Sequence, residues 1–171
     1  DTSTAVSITP SEGPSWGFVS GSMTSGGDVI YEIIIDVDDV GTRDQPFTTF
    51  SFSLCEDDGG SVDFDSWLCI HSSETDGNGN NIEILHDDDS CDDPPLGSQL
   101  VDTIFDSAGT YYVTIVGYSS SDQGNYTLAY KKSSQTPTPS ATSVPGSYPH
   151  HFYYSLRTGA ECEDEGDGPY G

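Results

Sequence analysis

Positive charge is almost missing from this chain: 4 Lys plus Arg stand against 29 Asp plus Glu, for a formal net charge of -25. A surface of that sign repels a phosphate backbone or an anionic bilayer, which excludes nucleic-acid binding as a function class and favours divalent cations instead. Long apolar runs are missing too. No stretch of about 18 apolar residues occurs, so no helix spans a membrane. The paired CxxC spacing of a zinc site is absent, although the chain holds four cysteines. Only 33% of its 171 residues are hydrophobic. That leaves room for one small core, not several.

What is present is aromatic and β-forming. With 10 Tyr, 7 Phe and 2 Trp, the core is expected to be aromatic-rich. Segments 29–37 (VIYEIIIDV), 47–55 (FTTFSFSLC), 64–70 (FDSWLCI), 82–85 (IEIL), 100–105 (LVDTIF), 110–118 (TYYVTIVGY) and 125–130 (NYTLAY) are β-branched or aromatic runs. Between them lie DDGG, DGNGNN, DDPPLG, DSAG and SSSDQG, all rich in turn formers. This pattern predicts an all-β fold, an antiparallel sandwich or barrel, and the leading expectation is an antiparallel β-sandwich of jelly-roll type. Alternation in 47–55 puts Phe50, Phe52 and Leu54 on one face and Thr49, Ser51 and Ser53 on a solvated one. In the last segment Tyr126, Leu128 and Tyr130 share a side. The run 29–37 is apolar at most positions and is expected to be covered on both faces. A further strand is expected near Trp16 and Phe18.

The organisation follows from composition: a sandwich over 1–132, a Ser/Thr/Pro-rich linker over 133–147, and a tail over 148–171 that is first aromatic and then acidic. The start DTSTAVS, with neither Met nor an apolar segment, is that expected of a mature secreted product. In an oxidising compartment Cys55, Cys69, Cys91 and Cys162 read as two disulfides, with three connectivities open.

Phe64–Leu68 (FDSWL), Asp87–Cys91 (DDDSC), Ala108–Tyr118 (AGTYYVTIVGY) and Gly124–Tyr130 (GNYTLAY), taken in order, give the stretch from about Val29 to Tyr130 a resemblance to the bacterial pre-peptidase C-terminal domain. The resemblance implies a non-catalytic, secreted module, often associated with calcium, that assists binding, secretion or assembly. It also implies that Asp65, at a strand start, lies near Asp87, Asp88 and Asp89, a carboxylate group suited to calcium. In that layout Cys55 pairs with Cys91, both flanking acidic turns, which leaves Cys69 with Cys162, within one chain or between two. The chain departs from the module by continuing into the linker and tail.

Each chemical feature has a plainer competitor. The acid clusters at 36–39, 55–60, 63–65 and 86–93 also read as a solvated acidic rim. Segment 76–87 half matches an EF-hand loop, with Asp76, Asn78 and Asn80 in place. Asn81 stands where glycine is needed, however, and no helices flank it, so a hairpin turn is expected. His71, His86, His150 and His151 belong to no nucleophile-elbow or zinc-protease motif, and no enzyme is read. Asn125 opens the only N-x-[ST] acceptor. Thr136, Thr138, Ser140 and Thr142 sit in a Pro-interleaved stretch that resembles a glycosylated stalk or a plain extended spacer.

The tail carries Phe152, Tyr153, Tyr154 and Leu156, an aromatic group in need of a partner. It either folds back onto its own sandwich or adds to an open sheet edge of another copy. Contacts between copies that do not close a ring build filaments. The leading expectation is therefore a secreted, glycosylated subunit of an extracellular fibril or matrix, whose partners are other copies of itself and covalent glycans, with calcium as the one candidate cofactor. The alternative is a carbohydrate- or substrate-targeting module of a secreted hydrolase.

Overall fold

A computed structural model describes residues 5–41, 46–91 and 97–135. Among these residues ten strands form two sheets: β1 (Val6–Ser7), β2 (Gly17–Met23), β3 (Asp28–Ile35), β4 (Phe47–Ser53), β5 (Ser61–Val62), β6 (Ser66–Thr75), β7 (Asn81–Asp88), β8 (Gln99–Thr103), β9 (Gly109–Gly117) and β10 (Gly124–Gln135). One sheet has the order β1-β3-β9-β6-β7. The other runs β2-β10-β4-β8, with β5 also paired to β10. The named strands all pair antiparallel except β1 with β3, and an isolated parallel bridge joins Glu12 to Lys132. This is the sandwich the turn-punctuated runs predict, and the strand expected near Trp16 and Phe18 is β2. Among the described residues no helix is long and apolar enough to cross a membrane.

Alternating residues of the two inner faces make the core. Tyr31, Ile33 and Ile35 of β3, Leu68 and Ile70 of β6, and Tyr111, Val113 and Ile115 of β9 pack toward Phe50, Phe52, Leu100, Tyr126 and Leu128 of the other sheet. Phe105 stands edge-on to Phe50, with ring centroids 5.3 Å apart, and lies 4.5 Å from Tyr111. Between the sheets the Tyr31 and Tyr126 hydroxyls meet at 2.7 Å, and burial, helped by that bond, pushes the Tyr31 phenol up. Burying two phenols is tolerable because each O–H finds the other. Gly21 is required opposite Tyr126, since a Cβ there would lie 2.4 Å from the tyrosine oxygen.

Two expectations about faces fail. Strand β3 is not covered on both sides: Tyr31, Ile33 and Ile35 are buried, but Ile34 is 59% exposed. A β-branched run is compatible with a one-sided strand because propensity does not distinguish the faces. Conversely, Thr49, Ser51 and Ser53 of β4 are buried, not solvated. β4 lies between β10 and β8, and local bonds serve its hydroxyls. Ser51 Oγ accepts from Asp102 N at 3.1 Å, Thr49 Oγ1 donates to Asp102 Oδ1 at 3.2 Å, and Ser53 Oγ accepts from Cys55 N at 3.1 Å.

Strands β6 and β7 run further than their apolar cores suggested, to Thr75 and Asp88, because each completes the other's ladder. β10 continues through Gln135, paired with Phe47–Thr49, into the first residues of the Ser/Thr/Pro segment. The hairpin expectation at 76–80 holds. Asp76 Oδ1 accepts from Asn78 N at 2.8 Å and Asn80 N at 3.0 Å, which lowers its pKa, and Gly79 takes φ 91°. Cys55 and Cys91 form a disulfide, as expected. Cys162, the glycosylation candidates Thr136, Thr138, Ser140 and Thr142, and the assembly candidates Phe152, Tyr153, Tyr154 and Leu156 lie outside the described residues.

Candidate metal centre at the β6–β7 edge

Asp65 immediately precedes β6, and its carbonyl accepts from Tyr118 N at 3.0 Å, which fixes it beside the end of β9. Two residues on, Trp67 lies on the same, outer face of the sheet, opposite Asp88 of β7. The chain then turns at Asp89 with φ 64°, a left-handed conformation that Asp tolerates better than most residues. The result is a corner where carboxylate oxygens of Asp65, Asp88 and Asp89 all lie within 4.8 Å of one another.

Asp87 is not part of this group. Period-two alternation turns it to the opposite face from Asp88, opposite Leu68. There it organises the next loop: Oδ2 accepts from Gln99 N at 2.8 Å, and Oδ1 accepts from the Ser90 hydroxyl. The loop is further held by the Cys55–Cys91 disulfide and by the Cys91 N–H bonded to Gly97 O at 2.9 Å. Cys91 follows Asp89 by two residues, so the disulfide pins one end of the carboxylate corner to the end of β4.

Like charge prevails at the corner, although His86 nearby works the other way on Asp88. Asp65 Oδ1 and Asp88 Oδ1 are buried with no hydrogen-bond partner. Burial first, then Asp89 and Asp65, pushes the Asp88 carboxyl up to about 6, and burial with Asp89 and Asp122 raises Asp65. No described lysine serves the site. Lys131 lies 4.0 Å from the Trp16 ring centroid, and Lys132 binds Asp39 at 3.2 Å, both on β10 of the other sheet. An oxygen set of this spacing fits calcium, whose ligands lie at about 2.4 Å and hence no more than about 5 Å apart across the ion. Carboxylates packed together without a cation repel, and a bound divalent ion reverses that repulsion.

Two of the other acid clusters each hold a bonded carboxylate. Asp39 is salt-bridged to Lys132, and Asp63 Oδ2 accepts from Asn125 N and Nδ2 at 3.2 and 3.0 Å. Segment 56–58 forms a single 3-10 turn closed by Gly59 at φ 83°. Asn125 itself is exposed.

No family model and no curated protein sequence matches the chain. Solved structures do match in fold. Aeromonas hydrophila PliG, a periplasmic inhibitor of g-type lysozyme, is 11% identical with a TM-score of 0.45, over 75% of this chain and 96% of its own. The pre-peptidase C-terminal domain of a Bacillus anthracis collagenase is 13% identical with a TM-score of 0.42, over 75% and 93%. The mitogen YPM of Yersinia pseudotuberculosis is 16% identical with a TM-score of 0.40, over 69% and 86%.

Sequence reasoning missed what borders the corner. Trp67 lies between His86, with ring centroids 5.2 Å apart, and Tyr118, nearly parallel at 6.4 Å, so three rings cross the outer face beside the carboxylates. His86 Nδ1 is bonded to Glu83 Oε1 at 2.7 Å. Trp67 Nε1 is buried without a partner. The signal was available: alternation in DSWLCIH already places Asp65 and Trp67 on one side.

Proposed function

We propose that the sandwich is a non-catalytic module of a secreted protein, which binds one calcium ion through Asp65, Asp88 and Asp89 and uses the adjoining ring row to engage a carbohydrate or other substrate surface. The observation that carries this reading is the pair of buried, unbonded carboxylate oxygens at a corner that no described lysine reaches. Calcium would supply the missing charge and fix the Asp89 turn against β6. The Cys55–Cys91 disulfide agrees with an oxidising, extracellular setting. Glycosylation at Asn125 is compatible with the fold, because a glycosylated amide keeps one N–H for Asp63.

Calorimetric titration of the chelator-treated full chain with calcium chloride tests the metal. One site is expected, lost in Asp65→Asn and Asp88→Asn and kept in Asp87→Asn; an intact chain that takes up no calcium refutes the reading. Retention on chitin, cellulose or collagen, with calcium or with chelator, then tests the surface.

Assembly into an extracellular fibril is the second reading, favoured by one observation. β7 is an edge strand of its sheet among the described residues, and it exposes Ile82 and Ile84. Such an edge offers unpaired backbone groups to a strand from another copy. Electron microscopy and sizing of native material decide it: polymers that disappear when 148–171 is deleted support assembly, and a monomer at all concentrations removes it.

A further inference from the structure

We infer that the centre of the outer face of the β1-β3-β9-β6-β7 sheet, around Cys69 and Thr114, docks the chain's own C-terminal segment, fastened by a disulfide between Cys69 and Cys162 of the same molecule. The starting point is the position of Cys69. Its neighbours Leu68 and Ile70 point into the core, so alternation directs Cys69 outward, between Thr114 of β9 and His86 of β7. A side chain at the middle of an outer face is ordinarily reachable by solvent, yet Cys69 is 0% exposed and Thr114 beside it is buried. Toward either side the same face is open, with Ile34 59% and Ile84 40% exposed. The cover is therefore local to the β6–β9 centre.

Cysteine chemistry names the occupant. Cys69 is disulfide-bonded, and Cys55 and Cys91 are bonded to each other. The sequence has four cysteines, which leaves Cys162 as the partner. The bridge forms by thiol–disulfide exchange. Two thiols give up two protons and two electrons to a disulfide oxidant of the secretory compartment, which leaves as two thiols.

Reach and concentration favour a bond within one chain. The segment from Thr136 to Cys162 spans several tens of ångströms at about 3.1 Å per residue if extended, ample to pass from the end of β10 around the sandwich. A tethered thiol of this kind has an effective concentration on the order of millimolar, which dilute secreted copies do not match. Docking also carries Phe152, Tyr153 and Tyr154, shortly before Cys162, to the outer side of this sheet. This inference does not depend on calcium.

The test uses the full chain, alkylated without reduction, digested and mapped by mass spectrometry, after co-oxidation of 14N- and 15N-labelled copies. A Cys69–Cys162 cross-linked peptide of uniform isotope content is expected. Peptides of mixed isotope content would show exchange between copies and overturn the intramolecular bond, as would alkylation of both thiols. In Cys162→Ser, a native-state alkylating reagent is expected to reach Cys69 at least tenfold faster than it reaches any cysteine of the parent chain. Continued protection would mean that the sheet itself covers Cys69, against a docked segment.

Discussion

Two regions of this sandwich bury polar side chains, and they do so to opposite effect. Along β4, Thr49, Ser51 and Ser53 are buried with hydroxyls bonded to Asp102, to the Ser133 carbonyl and to the Cys55 N–H. At the β6–β7 corner, Asp65 and Asp88 each bury an oxygen that nothing bonds, and three carboxylates converge. A buried neutral group that is satisfied costs little, whereas a buried charge without a partner is expensive. The hydroxyl row is architecture, complete in itself. The acid corner is not, and the proposed cation would complete it.

Substitutions separate the two regions by size and by calcium response. Phe52→Ala, under the hydroxyl row and fully buried, is expected to cost about 3–5 kcal/mol in urea unfolding, independent of calcium. Replacing Cys55 and Cys91 together by Ala opens a link with a sequence separation of 36 and should cost about 2–4 kcal/mol. Unlike Phe52→Ala, it should also weaken calcium binding, because the Asp89 turn loses its anchor. Calcium at a hundredfold excess over its dissociation constant should stabilise the chain by about 2.7 kcal/mol, and Asp88→Asn should abolish that gain. Ser51→Ala leaves the Asp102 N–H without its acceptor and should cost about 1–3 kcal/mol with the calcium gain intact.

The smallest effect concerns pH. Tyr31 is raised in the folded state, so the unfolded chain releases that proton first. Its contribution is therefore complete below pH 10 and is lost as pH rises beyond it, and Tyr31→Phe should flatten this alkaline slope in denaturant melts.

Much of the fold was legible in the residues. FTTFSFS and TYYVTIVG alternate so regularly that strands, core faces and turns followed directly. Less legible was what happens outside a face: Ser51 reads as solvated until β8 places Asp102 beside it, and Ile34 reads as covered although no described element lies over it. The corner was half legible. Its acid density was visible, but all four of Asp65, Asp87, Asp88 and Asp89 were grouped, although period-two alternation in HDDD already sends Asp87 and Asp88 to different sides. The ring row escaped because His86 and Tyr118 approach Trp67 only through pairings distant in sequence.

Terbium luminescence is the most direct test of the carboxylate corner, because Tb³⁺ occupies oxygen sites of the calcium type and Trp67, beside Asp65 and Asp88, would sensitise it. Excitation of tryptophan in the chelator-treated chain should give terbium emission that calcium displaces, and that Asp88→Asn and Trp67→Phe both abolish while Asp87→Asn does not. Emission that is absent from the parent chain, or that survives Asp88→Asn, would contradict a cation site at this corner.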